Sequence, residues 1–196
     1  VKSFPKSLPV TEDSNLDYAI KYYPAFRLQG NNAYLIPIKP EYHEVLFPES
    51  RRQDDLFATI SNSAGNSIKQ AYLCKSPCKS IRPGDVVFFY RTLDEKAITS
   101  YGIVDHFMVE SDPEEIYQWV AKRTVYSYEE IKTMAGKDVK VILFRFVNHL
   151  DSYLTYDTLK DMDIVSGHIQ SITTLSKDNA VKIIRESKIN DCLISD

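Results

Sequence analysis

The sequence predicts an α+β domain: a small, mostly antiparallel sheet, strongly curved or closed into a pseudo-barrel, with peripheral helices. Three observations lead there. Aromatic residues make up 12% of the 196 residues, as 13 Tyr and 9 Phe against 1 Trp, and Tyr and Phe favour strands. The apolar runs of the middle third are joined by short turn sequences, so strands follow one another directly. The helix start signals are grouped rather than alternating with strands, which argues against βαβ units.

Residues 1–32 are poorly patterned and hold Pro5, Pro9 and Pro24. They read as an arm or linker, with a short amphipathic piece at 16–23. The compact domain is expected over 33–196. Residues 33–38 (Ala-Tyr-Leu-Ile-Pro-Ile) form the first strand, and Pro37 suggests an edge or bulge. Pro40 suits the first turn of a helix over 41–47. Residues 71–74 are a second strand. Arg82-Pro83-Gly84-Asp85 is a turn. It opens the most apolar strand, 86–90, which pairs as a hairpin with 97–107 across Asp94-Glu95-Lys96.

Two helices then show start signals. Asp112 with Glu115 reads as a capping box with Pro113 at the first helical position, and Ser127 with Glu130 repeats the pattern. Ile116, Trp119 and Val120 fall on one face, which places Trp119 in the core. Residues 139–147 are a strand covered on both faces. Thr155 caps a short helix through Met162, and Ser176 caps a last helix with Ala180, Ile183 and Ile184 inward.

The composition excludes several classes. Hydrophobic residues at 43% and charged residues at 26% describe a folding chain with a real core. There is no run of 18 apolar residues for a spanning helix. A net charge of −3 is wrong for a uniformly basic polyanion binder, so nucleic acid would need a local patch. Residues 69–91 supply a candidate, with Lys69, Lys75, Lys79, Arg82 and Arg91 against Asp85 alone. Residues 105–115 hold five acids and no Lys or Arg. The three cysteines, Cys74, Cys78 and Cys192, are odd in number and give no disulfide framework, which fits a cytoplasmic setting. Cys74 and Cys78 could give two metal ligands, but nothing nearby completes a site. Val1 begins the sequence without an initiator Met or a signal-peptide pattern, so an upstream domain is expected.

No dinucleotide fingerprint, P-loop, zinc-protease or nucleophile-elbow motif occurs. His43, His106, His149 and His168 stand at no ligand spacing. No cofactor, metal or catalytic residue is assigned.

Two stretches nonetheless carry a resemblance. Ser80-Ile81-Arg82-Pro83-Gly84-Asp85-Val86-Val87-Phe88-Phe89-Tyr90-Arg91, followed by Ile98-Thr99-Ser100-Tyr101-Gly102-Ile103-Val104, resembles the core of the EVE branch of the PUA-like domains. Residues 34–42 resemble the opening of the related ASCH branch, and 170–175 resemble the segment that closes EVE-like domains. The likeness spans roughly residues 33–186. It extends to accessory domains found downstream of GNAT-type acetyltransferases, though no acetyl-CoA pattern is present.

The resemblance implies a pseudo-barrel that binds RNA or DNA, in some relatives by taking one modified base into a pocket. Such a pocket needs flat aromatic walls and fixed polar groups. It implies roles for Lys39 beside a phosphate or the ligand, Ser76 as a pocket donor, Tyr90 and Arg91 at the mouth, and Gln170 and Ser171 reading a base edge. Lys79 belongs to the basic run, and Lys122 and Arg123 add phosphate contacts on the ground of charge alone. EVE-like cages usually use a Trp; here Tyr101, Tyr126 or Tyr128 would have to replace it. The alternative implied by the ASCH branch is a small amidohydrolase for acylated nucleosides, with Lys39 as the active amine or base and Glu41 or Thr99 assisting. A third reading is an interaction domain for an upstream catalytic domain.

Overall fold

The computed structural model describes residues 12–48, 68–121, 123–190 and 193–195. Helix α1 (Asn15–Lys21) and a short strand β1 (Phe26–Arg27) come first, then β2 (Ala33–Ile38) and α2 (Pro40–Leu46). Strands β3 (Lys69–Cys74), β4 (Val86–Arg91) and β5 (Ala97–Glu110) follow. Helices α3 (Pro113–Val120) and α4 (Tyr128–Met134) precede the long strand β6 (Val139–Thr155). Helix α5 (Tyr156–Asp161), β7 (Thr173–Leu175), α6 (Lys177–Glu186) and β8 (Ile194–Ser195) complete the order.

Six strands form one sheet in the order β3-β6-β5-β4-β2-β7. Every neighbouring pair is antiparallel except β2 and β4, which run parallel with Ala33 opposite Val86 and Ile38 opposite Arg91. The sheet is strongly curved, but among the described residues its two edges, β3 and β7, are not hydrogen-bonded together. Of the two expected forms, curved or closed, the α+β architecture with a mostly antiparallel sheet is present and closure is not, among the described residues. The curvature has a visible cause. The β5–β6 ladder shifts register three times, once beside Gly102, and bulges bend and twist a strand pair. Gly102 itself is required there: a Cβ would lie 2.6 Å from the Arg145 carbonyl oxygen.

The two-residue period of the strands divides the apolar residues between opposite faces. Leu35, Val86, Phe88 and Tyr90 join one core with α5 and α6. Ile36, Val87, Phe89 and Phe144 join a second, into which Leu46 and Phe47 descend from the end of α2. Tyr34 from β2 and Tyr72 from β3 meet in this second core although their strands are four places apart in the sheet. A third, smaller cluster packs Ile116, Val120 and Ile131 of α3 and α4 against β3 and β6.

The first segment, expected as an arm, lies against the first core: Ala19, Phe26 and Leu28 are buried in it. Gly84, with φ +92°, lets α1 sit on the turn before β4, where a Cβ would approach Asn15 to 3.0 Å. Asp85 holds that turn closed by accepting from the Arg82 N–H at 2.8 Å and the Asn32 N–H at 2.9 Å.

The helix caps follow the sequence in most cases. Ser127 and Glu130 make the full reciprocal box, and Thr155 and Ser176 cap α5 and α6. Asp112 caps α3 by accepting from the Glu114 and Glu115 N–H groups. The return arm, however, comes from Glu110, whose carboxylate accepts from Ser111 and Asp112. Trp119 is corrected as well. It is 48% exposed and stacks on His106 with ring centroids 5.3 Å apart, because Ile116 and Val120 alone fill the contact of α3 with the sheet.

Candidate functional site

Where β2 and β4 end side by side, the chain leaves both strands and a cleft of about 910 Å³ opens. One wall is built by tyrosines from three elements. Tyr42 on α2 packs its ring 4.5 Å from that of Tyr126, in the loop before α4. Tyr72 reaches across from β3, and its hydroxyl donates to the Pro37 carbonyl at 2.6 Å. The Tyr126 hydroxyl donates to the Leu73 carbonyl at 3.0 Å. Burial raises the pKa of both phenols above the ordinary tyrosine value, so they remain neutral donors at physiological pH.

The opposite wall holds Tyr90 from the end of β4, Tyr156 from the start of α5 and His168. The Tyr156 and His168 rings are stacked at 6.1 Å. Tyr90 is 5% exposed, and among the described residues its hydroxyl has no hydrogen-bond partner. Between the walls the Ser76 and Ser171 hydroxyls are bonded at 3.0 Å, with Gln170 beside them. Cys74 also lines the cleft; burial pushes its thiol up to about 11, which makes it a poor nucleophile.

The rim is cationic. Lys39, Lys75 and Lys96 line the cleft, and no carboxylate does among the described residues. Lys39 pairs with Glu41 at 3.6 Å, but both side chains are more than half exposed, and such a pair is weak. Lys75 and Lys96 have no ion-pair partner among the described residues.

Of the residues expected from sequence, Lys39, Ser76, Tyr90, Gln170 and Ser171 therefore come together on one cleft. Arg91 does not. As the next residue of β4 it points to the other face, where it bonds Asp94 and Glu44 at 2.5 and 3.0 Å. Lys79 pairs with Asp138 at 3.4 Å and lies outside the cleft. Arg123 is also outside; its carbonyl accepts from the Ala71 N–H. Lys122 falls outside the described residues. Within the basic run over 69–91, Arg91 is thus drawn off by carboxylates and Lys69 is paired to Asp105 at 3.3 Å, whereas the Lys79 pair is as exposed as that of Lys39.

Of the three suggested replacements for a cage Trp, Tyr126 lines the cleft. Tyr101 is buried in the first core, and Tyr128 donates to Glu114 on the surface. Thr99, the suggested assistant to Lys39, is also elsewhere. It is fully buried and bonded to His43 at 2.6 Å and Ser100 at 3.3 Å. Sequence reasoning missed Tyr42, Tyr72, Tyr156, His168 and Lys96. Tyr156 and Lys96 carry a signal, at the start of α5 and just before β5, whereas Tyr42 and Tyr72 lie within α2 and β3 and His168 in a loop, with no local mark.

Solved structures give the architecture its name. The ASCH protein from Zymomonas mobilis superimposes with a TM-score of 0.59 at 14% identity, over 78% of this chain and 94% of that one. A mutant of it gives 0.59 at 13% identity, covering 79% and 95%. The chain has the fold of that ASCH protein. A protein from Agrobacterium tumefaciens shares the architecture at TM-score 0.50 and 12% identity, over 84% of this chain and 99% of that one. No family model matches the sequence, and no curated protein is similar to it. Identities this low carry the ASCH-like fold alone. Among the described residues of the ASCH-like domain, no helix is long and apolar enough to cross a membrane, and no three His, Cys, Asp or Glu side chains are grouped to hold a metal ion.

Proposed function

We propose that this chain is a nucleic-acid-binding module that seats an unpaired or flipped base in the cleft between β2, β4 and the 168–172 segment. The observation that carries the reading is the composition of one cleft: tyrosine walls, a Ser76–Ser171 hydroxyl pair with Gln170, and, among the described residues, lysines as the charged groups of its lining. Each part suits one part of a nucleotide. Tyrosine faces stack on any base, at about 1–3 kcal/mol per base. Tyr90, Gln170 and the serines can bond a base edge. Lys39, Lys75 and Lys96 suit phosphates. A modified base, and a role beside a catalytic domain in a cytoplasmic polypeptide, extend the same proposal; two free thiols, Cys74 and Cys78, agree with that setting.

Titration of single-stranded RNA and DNA oligomers against salt tests it. Three phosphate contacts on a single strand give a log–log slope of about −2. Changing Lys39, Lys75 or Lys96 to Gln should each flatten that slope by about 0.7. Absence of binding, or binding indifferent to salt, overturns the reading.

A further inference from the structure

We propose that the cleft holds two neighbouring bases of one strand, each on its own aromatic group, rather than one isolated base. This rests on the nucleic-acid reading above and adds to it the length of ligand that the site recognises.

The aromatic lining falls into two groups that belong to different faces of the sheet. Tyr42 and Tyr72 pack with the second core, and Tyr126 with the third. Tyr90 and Tyr156 pack with the first. The Tyr42 and Tyr126 rings pack 4.5 Å apart, and Tyr42 lies close enough to both Tyr72 and Tyr126 to add, after burial, to the upward shift of their phenols. Tyr90 feels Tyr156 and Asp157, and none of that trio. The paired strand ends divide the groups: Pro37 stands in register with Tyr90, and its carbonyl anchors the Tyr72 hydroxyl on the other side.

The cations follow the same division. Lys39 sits 6.0 Å from the Tyr42 ring centroid. Lys96 lies against the other group, its carbonyl accepting from the Tyr156 N–H at 2.7 Å. Each aromatic group thus has a lysine of the lining beside it in the chain or in space, available for a flanking phosphate, and Lys75 adjoins the shared Ser76. The shared donors, Ser76, Ser171 and Gln170, complete the lining of the same cleft. The cleft's volume agrees, since about 910 Å³ lies near the top of the roughly 300–1,000 Å³ range of ligand pockets, and one planar base fills only a fraction of it.

Calorimetric titration with mononucleotides, dinucleotides and hexanucleotides decides the matter. Two mononucleotides are expected per chain, against one dinucleotide. The dinucleotide should bind at least about fivefold tighter, the least that one more stacked base gives. His168→Ala, at an exposed position, and Tyr42→Leu should each remove one mononucleotide from the stoichiometry and most of the dinucleotide's gain. One mononucleotide per chain, no gain for the dinucleotide, or a full gain retained by both variants overturns the proposal and leaves the nucleic-acid reading standing. Hexanucleotides that fail to bind overturn both.

Discussion

His43 illustrates how much one side chain's surroundings decide. It is fully buried on α2, bonded through Nε2 to Thr99, with the Arg91 guanidinium 3.5 Å from Nδ1. Arg91 can only donate, so Nδ1 accepts and Nε2 carries the proton of a neutral ring. Burial first, then the Arg91 charge, lower its pKa to about 3. Between the unfolded value near 6.5 and 3, the unfolded chain binds a proton that the folded chain refuses. The stability this group contributes is therefore complete above pH 6.5 and is lost as pH falls, at about 1.4 kcal/mol per unit. Urea melts at pH 7 and pH 5 should differ by about 2 kcal/mol more for the parent chain than for His43→Gln; equal differences would mean that His43 titrates freely. Asp85 acts differently, through its two backbone bonds. Asp85→Ala leaves the Arg82 and Asn32 N–H groups without their acceptor and should cost about 1–3 kcal/mol, read by the same melts. Arg91 shows why a neighbour in sequence is a poor guide to a neighbour in space. Tyr90 and Arg91 are adjacent, yet strand alternation sends one to the cleft and the other to Glu44.

Elements were more legible than sites, because their causes are local. Pro40, Ser127, Thr155 and Ser176 mark helix starts by backbone chemistry that involves only the next few residues, and all four helices begin there. The 86–90 run and its hairpin partner were equally plain. Two features had no local cause. Strand β6 runs on to Thr155, beyond its apolar stretch, because β5 and its turn offer it a partner as far as Ala97. Trp119 looked inward by period, but α3 touches the sheet through a stripe too narrow to cover it. Gly102 lies at the junction of these two levels. Gly102→Ala should cost about 1–3 kcal/mol by overpacking against the Arg145 carbonyl. Gly167→Ala, with nothing within 4 Å of its Cβ position, should stay within about 0.5 kcal/mol of the parent; equal thermal midpoints for the two variants would refute the close-approach argument.

At the scale of the whole molecule, the cleft is a product of curvature. Lys39, Ser76, Tyr90 and Gln170 are far apart in sequence, and their common order in EVE- and ASCH-like chains pointed to them. The tyrosines were hidden for a simpler reason. With 13 Tyr in the chain, a ring on a strand reads alike whether it faces a core or an opening, and only the roll of the sheet decides between them. Tyr72 is the joint that spans this roll, fastening edge strand β3 to β2 through the Pro37 carbonyl. Tyr72→Phe should lower stability by about 0.5–1.5 kcal/mol while weakening oligonucleotide binding, because one hydroxyl serves both. A clasp of this kind works in both directions: whatever presses the far edge home must also draw the mouth into shape, and a guest lodged in the mouth must in turn hold the far edge down. On heating, the β3 amides should therefore begin to exchange with solvent later, relative to those of α6, in the loaded chain than in the empty one; an unchanged order would refute the coupling.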